Sequence, residues 1–397
     1  MRARYIILSA AALCGCTALL GSRDLYLDPS SDNGNPDGGD TDGRATNDAT
    51  AGDGESGACG ANLDNDSAHC GRCFHDCAGG TCSGGKCLPV LLAQGLPNPD
   101  GLVLSATDIY VAGLGGLSAI MRVPREGGAV TTIVSTAADS ARGVALDGNT
   151  LYWSNATFAS DDAGTFGGIW KCTIPACTDQ TLLKADWTLN PIIASNFIFY
   201  ATGNTDDRVF RMPKTGGAAL PLVQSYRPFA LAADSTHVYF TNTESPPLHR
   251  VLLDGGSKEG IGPGSEQYVG YVTLDADRVY WTYEDNTSQG HVLSALKSNP
   301  NTTTSYGTGV DNIFPLGVAV DDTYVYWSSD GNRISNTPTG DGKIQACPKS
   351  GCSGAPIVLA NDLKFSGPIV ADGNAIYWVE FGAQNTTMGR LRKVAKP

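Results

Sequence analysis

A seven-bladed β-propeller, all-β and closed by an N-terminal strand, is the fold class this sequence predicts, and three observations predict it. A tyrosine follows an Asp or Ser by five residues seven times, at Ser105/Tyr110, Asp147/Tyr152, Ser195/Tyr200, Asp234/Tyr239, Asp275/Tyr280, Asp321/Tyr326 and Asp372/Tyr377. Those tyrosines are 42, 48, 39, 41, 46 and 51 residues apart, the period of a propeller blade. The seventh repeat stops one strand short at LRKVAKP, whereas residues 89–94 (PVLLAQ) precede the first repeat with no blade of their own.

Each repeat reads as four strands. The first is small and apolar (GVAL at 143–146, GVAV at 317–320), as the crowded axis of a propeller requires. An Asp- or Ser-headed turn leads to an aromatic strand such as LYW at 151–153 or VYW at 279–281. Adjacent strand residues point to opposite faces, yet all three are large and apolar, so both faces must be covered, as radially stacked blades cover them. The seven tyrosines and Trp153, Trp281, Trp327 and Trp378 are therefore expected between blades. A third strand follows (IMRV at 120–123, VFRM at 209–212), then a Gly-Gly turn at 127–128, 216–217 or 255–256 before the fourth. PVLLAQ is similar to the fourth strand PIVLAN at 356–361, so it is expected to pair with residues 391–394 and complete blade seven. Closing the ring in this way removes an aggregation-prone edge.

Ahead of the ring the composition changes three times. MRARY is basic and residues 6–13 (IILSAAAL) are apolar for about half a membrane span, the pattern of a secretory signal at 1–15. Residues 16–57 contain little to bury, so they read as a disordered acidic tether, with a root-mean-square span of roughly 35 Å. The formal charge of −13 divides into +3 from residues 1–23, −8 from 24–57 and −8 from the rest. An acidic chain without a basic stripe is not a nucleic-acid binder. Asn33, Asn35, Asp37 and Gly38 match the opening of a calcium loop, but Arg44 stands where the bidentate acid belongs, so no cofactor is expected. Residues 58–87 carry six cysteines, Cys59, Cys70, Cys73, Cys77, Cys82 and Cys87, with too little apolar content for a core. Export and the even count favour disulfides of undetermined pairing; the alternative is a zinc site using Cys70, Cys73, His69 or His75. Cys172/Cys177 and Cys347/Cys352 fall at equivalent places in repeats two and six and are read as disulfide staples across the turn before the fourth strand.

Three stretches carry resemblances. Leu13-Cys14-Gly15-Cys16 resembles the bacterial lipobox, which implies a lipid on Cys16. Several acyl chains, at about 0.8 kcal/mol per buried methylene, would anchor the chain to the cell envelope. Thr17 points to the outer membrane by the sorting rule of well-studied bacteria. The cysteine-rich segment resembles the stigma-specific cysteine-rich repeat, which also occurs in myxobacterial lipoproteins. The aromatic phrase, preceded by PLGVAVD at 315–321, resembles the YWTD propeller modules of lipoprotein-receptor ectodomains and of related bacterial lipoproteins. Those modules have six blades, so seven phrases depart from the pattern and no receptor ligand residue is carried over.

Residues 88–397 are thus expected to form one propeller. Asp100, Arg142, Asn190, Phe229, Gly270, Leu316 and Gly367, just ahead of the first strands, should ring the axial mouth. Asp100 and Asn190 are residue types that would help hold a metal, as in propeller lactonases, yet a Gly, Leu316, Phe229 and Arg142 share the ring, so no catalytic metal is expected. No G-x-S-x-G, H-E-x-x-H or phosphate-cradling loop is present, and of the three propeller histidines, His237, His249 and His291, the first two fall in strand patterns. The expectation is an envelope lipoprotein whose propeller is a non-catalytic platform for a protein or glycan ligand. The alternatives are a hydrolase, lactonase or lyase with its site in the mouth, and a structural part of an envelope assembly.

Overall fold

In the computed structural model, the structure describes residues 59–397 apart from 114–118, 136–139, 157–166, 186–187, 204–206, 265, 310–313, 332, 335–336, 339, 365 and 382–388. The expected signal and tether, with Cys16, lie outside the described residues.

The described chain is built of strands. β1 (Cys82–Ser83) and β2 (Lys86–Cys87) form a small hairpin, and β3 (Val90–Leu96) follows it. Blade one is β4 (Pro99–Leu104), β5 (Asp108–Gly113), β6 (Ala119–Pro124) and β7 (Thr131–Ser135). Blade two is β8 (Ser140–Asp147), β9 (Thr150–Ala156), β10 (Gly168–Thr173) and β11 (Thr181–Ala185). Blade three is β12 (Leu189–Ala194), β13 (Phe197–Thr202), β14 (Arg208–Pro213) and β15 (Leu220–Gln224). Blade four is β16 (Leu231–Ala233), β17 (His237–Thr241), β18 (Leu248–Leu252) and β19 (Glu259–Ile261). Blade five is β20 (Glu266–Leu274), β21 (Arg278–Asp285), β22 (Gly290–Leu296) and β23 (Asn299–Gly309). Blade six is β24 (Pro315–Val320), β25 (Tyr324–Ser329), β28 (Gly342–Pro348) and β29 (Ile357–Leu363), with a hairpin of β26 (Arg333–Ile334) and β27 (Thr337–Pro338) inserted.

Blade seven is β30 (Ser366–Ala371), β31 (Ala375–Glu380), β32 (Gly389–Ala395) and, outermost, β3. Val90 lies opposite Lys393, Leu91 opposite Arg392 and Ala93 opposite Leu391, so the segment that precedes the first repeat completes the last one. The innermost strands touch in a closed circuit, β4, β8, β12, β16, β20, β24, β30 and back to β4. Seven repeats have given seven blades.

The aromatic phrases fill the seams. Trp281, Trp327 and Trp378 are fully buried and Trp153 is 1% exposed. Each lies in a cluster that joins two blades: Trp281 packs with Tyr239 of blade four, and Trp153 with Tyr110 of blade one. The Gly-Gly turns also cross seams. Gly128 and Gly256 donate their N–H to Leu92 O and Leu222 O of the preceding blade's outer strand, both at 3.2 Å. Gly127 and Gly255 have φ of +85° and +87°, and a Cβ on either would stand about 3 Å from those carbonyls, so glycine is required twice over.

Polar latches stitch the same seams. Asp275, Asp321 and Asp372 each accept the hydroxyl of their own blade's tyrosine, at 2.7, 2.7 and 2.9 Å, and cap the turn by accepting two backbone N–H groups. The next blade then sends a cation to the same carboxylate: Lys349 to Asp275, Lys396 to Asp321, Arg125 to Asp372, and likewise Lys297 to Asp234 and Lys214 to Asp147. All five cations occupy one position, the residue after the third strand whose N–H bonds back to its own blade's first turn. The two remaining members of that position are Ile174 and Leu253, and the heads they would face are Ser105 and Ser195. Base and acid therefore occur together and are absent together. Without the acid, Tyr110 is left with a buried hydroxyl that finds no acceptor among the described residues. Ile174 packs into its cluster instead of reaching across with a charge.

The cysteine-rich segment is knitted by Cys59–Cys73, Cys70–Cys82 and Cys77–Cys87, which resolves the open pairing and takes up all the sulfur that the zinc alternative required. Cys172–Cys177 and Cys347–Cys352 staple blades two and six. Five disulfides mark an extracellular or envelope protein. The knot also touches the ring: one ring nitrogen of His75 lies 2.7 Å from Lys396 O, and Arg72 donates to Pro397 O at 2.9 Å. Among the described residues no helix is long and apolar enough to cross a membrane.

Two outcomes follow from the latches. Burial pushes the Asp321 carboxyl up, but the Lys396 ammonium, the turn N–H groups and the Tyr326 hydroxyl outweigh it and hold the pKa at about 2, below the ordinary 3.8. A depressed carboxyl stabilises fully above pH 3.8 and loses that contribution as pH falls through 2, so acid titration of the fold should show a transition in that window that Asp321→Asn reduces. In a double-mutant cycle, Ser105→Asp alone should lower the thermal midpoint, and adding Ile174→Lys should recover stability with favourable coupling; additive effects would refute the latch.

Candidate functional site at the axial mouth

The seven mouth positions predicted from the sequence are brought together around the axis, but they do not precede their strands. Asp100, Arg142, Asn190, Gly270, Leu316 and Gly367 lie inside the innermost strands, and Phe229 alone lies ahead of its strand, β16. The reason is a shared irregularity. In six blades the pairing of first and second strands slips at this place, at Pro99/Gly101, Arg142/Val144, Leu189/Ile192, Val269/Val272, Pro315/Val318 and Ser366/Ile369. Such bulges extend pairing past a residue and re-aim its side chain, which is why they gather at rims and sites.

The mouth is held by hydroxyls two residues beyond the blade tyrosines. Thr241 donates to Gly270 O at 2.9 Å, Thr282 to Leu316 O at 2.6 Å and Ser328 to Gly367 O at 2.9 Å, each reaching the next blade. The same oxygens accept the N–H of Ala230, Tyr271 and Gly317 in their own blades. All three side chains are fully buried. Two more mouth carbonyls are occupied, Phe229 O by the Asn190 amide at 3.0 Å and Asp100 O by the Tyr271 hydroxyl at 3.4 Å.

That last contact shapes the site. Tyr271 belongs to blade five and Asp100 to blade one, which are not neighbours, so the phenol spans the axis and floors the mouth. Its ring meets Phe229 edge-on, with centroids 5.4 Å apart. Tyr271 was missed from sequence, although it occupies the innermost-strand position that is Gly101, Gly143, Pro191, Ala230, Gly317 or Pro368 elsewhere. Asp100 retains partial solvent exposure, as befits a group lining an open channel. Burial pushes its carboxyl pKa up, and the positive charge of Arg142 on the adjacent strand pulls the other way.

Other chemistry-bearing residues are placed elsewhere. His237 and His249 sit in β17 and β18, and burial lowers both. His291 in β22 pairs with Asp285 at 2.8 Å and stacks on Tyr283 at 4.6 Å. Among the described residues, the one group of three His, Cys, Asp or Glu ligand atoms lying within 4.8 Å of one another is Cys70, Cys77 and Cys87, whose sulfurs are bound in disulfides.

No family model and no curated protein matches the chain. Solved structures do match in fold. YCF48 bound to the D1 peptide is 10% identical, with 78% of this chain and 97% of that chain covered at a TM-score of 0.55. The nidogen/laminin complex is 16% identical over 62% and 90% of the two chains at 0.45. The PQQ-bound aldose sugar dehydrogenase of Streptomyces coelicolor is 13% identical over 77% and 96% at 0.47. At 10% identity the likeness to YCF48 is one of fold alone.

Thr282→Val, which keeps the shape and removes the hydroxyl, should cost about 1 to 3 kcal/mol in urea unfolding because it strands Leu316 O and the Tyr271 N–H. A variant as stable as the parent would show that the seam does not rely on this bridge.

Proposed function

We propose that the protein is an exported lipoprotein of the cell envelope, anchored through lipid on Cys16 in the outer membrane, whose propeller is a non-catalytic binding platform working at its axial mouth. The observation that carries the platform reading is the make-up of that mouth. Asp100, Arg142, Asn190 and Phe229 lie at a mouth floored by Tyr271, and among the described residues no group of three His, Cys, Asp or Glu ligand atoms gathers there. Such a set suits holding and orienting a ligand. YCF48, of the same architecture, was solved with a peptide bound, which supports a binding role for a ring of this kind. The five disulfides support export, and the lipobox-like Leu13-Cys14-Gly15-Cys16 supports anchoring.

Cys16→Ser should abolish incorporation of labelled palmitate and move the protein from the membrane to the soluble fraction; continued labelling would refute the anchor. Immobilised Cys16→Ser protein should retain a molecule from envelope extract and release it chemically unchanged. Recovery of an altered product would make the mouth an active site.

A further inference from the structure

We propose that His75 is a proton-operated clasp between the cysteine-rich knot and the last residues of the propeller, closed by an imidazolium and loosened when the imidazole becomes neutral. The clasp is independent of whatever the mouth binds. The first ground is the pair of atoms that His75 faces. Its Nδ1 lies 2.6 Å from Cys70 O and its Nε2 lies 2.7 Å from Lys396 O. A backbone carbonyl can only accept, so each nitrogen must donate, and a neutral imidazole has one N–H to give. Both bonds therefore form only on the charged side chain; the neutral one keeps a single bond and turns a lone pair toward the other oxygen. The second ground is that both oxygens are fixed. Cys70 is fully buried, is disulfide-bonded to Cys82 and donates its own N–H back to His75 O at 2.9 Å. Lys396 donates its N–H to Asn374 O, and its ammonium is held by Asp321. The Cys70 bond spans five residues inside a cross-linked loop, whereas the Lys396 bond joins the knot to the propeller, so the neutral side chain keeps the first and gives up the second. The third ground is the charge around the clasp. On the knot, Arg72 is committed to Pro397 O, His69 Nδ1 accepts the Phe74 N–H and Asp76 accepts the Ala78 N–H. On the propeller, Lys396 is paired with Asp321, and Lys393, which the knot meets at Gly79, is paired with Glu126. Among the described residues no carboxylate pairs with His75, so the two carbonyls are what its charge answers.

The test is amide hydrogen exchange of full-length Cys16→Ser protein from about pH 5 to pH 8, the range in which histidine side chains change charge, with rates divided by those of unstructured peptide at each pH. Protection of residues 389–397 should fall by about tenfold or more toward the alkaline end, the effect of losing one charge-assisted hydrogen bond. That range lies above the Asp321 transition near pH 2, so the two titrations stay apart. His75→Gln should show the low protection at every pH, and His69→Gln should retain the parent's dependence. Protection that does not change with pH, a change that survives His75→Gln, or one abolished equally by His69→Gln overturns the clasp. Should His75→Gln fail to fold, as its thermal midpoint reveals, the imidazole nitrogen shifts of the parent decide. Protons on both His75 nitrogens at the acid end and on one at the alkaline end uphold the clasp, and an unchanged proton count overturns it.

Discussion

The antiparallel pairing of Val90–Leu96 with Gly389–Ala395 is the constraint on which the remaining structure depends. A propeller blade buries both of its faces against neighbours, so no blade is stable at the end of a row, and seven blades satisfy one another only when the row becomes a ring. The pairing joins segments nearly the whole domain apart, and the entropy of that closure grows only with the logarithm of its length. Local order within each hairpin is thus insufficient, and the fold is complete only when its two ends meet.

Closure places every seam under the same demand, and the chain meets it in two interchangeable ways. Where a turn is headed by Asp, the next blade supplies Lys or Arg; where it is headed by Ser, the next blade supplies Ile174 or Leu253. The rule is electrostatic economy. A half-buried carboxylate needs a partner, and a long cation reaching over an apolar seam is of little use without one. Lys396 and Lys297 also lie over the Tyr326 and Tyr239 rings, at 5.7 and 5.9 Å, so the cation serves acid and ring together. On the opposite side of the blades, Thr241, Thr282 and Ser328 bridge the seams at the mouth with neutral hydroxyls.

The ring was legible in the sequence because its causes repeat. Tyr110 through Tyr377 keep their spacing from the turn head, the Gly-Gly turns recur, and residues 89–94 resemble a fourth strand, so blade number and closure could be read without coordinates. The mouth was legible in part, since the seven positions were found by counting from the strands, but bulges displaced them into the sheet. Tyr271 was not found, because its importance lies in reaching blade one, a relation that periodicity within a blade does not express. The knot pairing was closed to sequence as well, since six cysteines in 30 positions permit every connectivity by spacing alone.

The knot does more than hold itself together. Arg72 and His75 grip Pro397 O and Lys396 O, and Lys396 in turn holds Asp321 of blade six. Cys70, Cys73 and Cys77 fix the loop that presents both side chains. A reductant that opens those bonds would release the two residues beyond the last strand and, through them, slacken the clasp of the whole circle. The chain has thereby tied the cross-links of the knot to the clasp of a ring whose two closing strands, Val90–Leu96 and Gly389–Ala395, contain no sulfur.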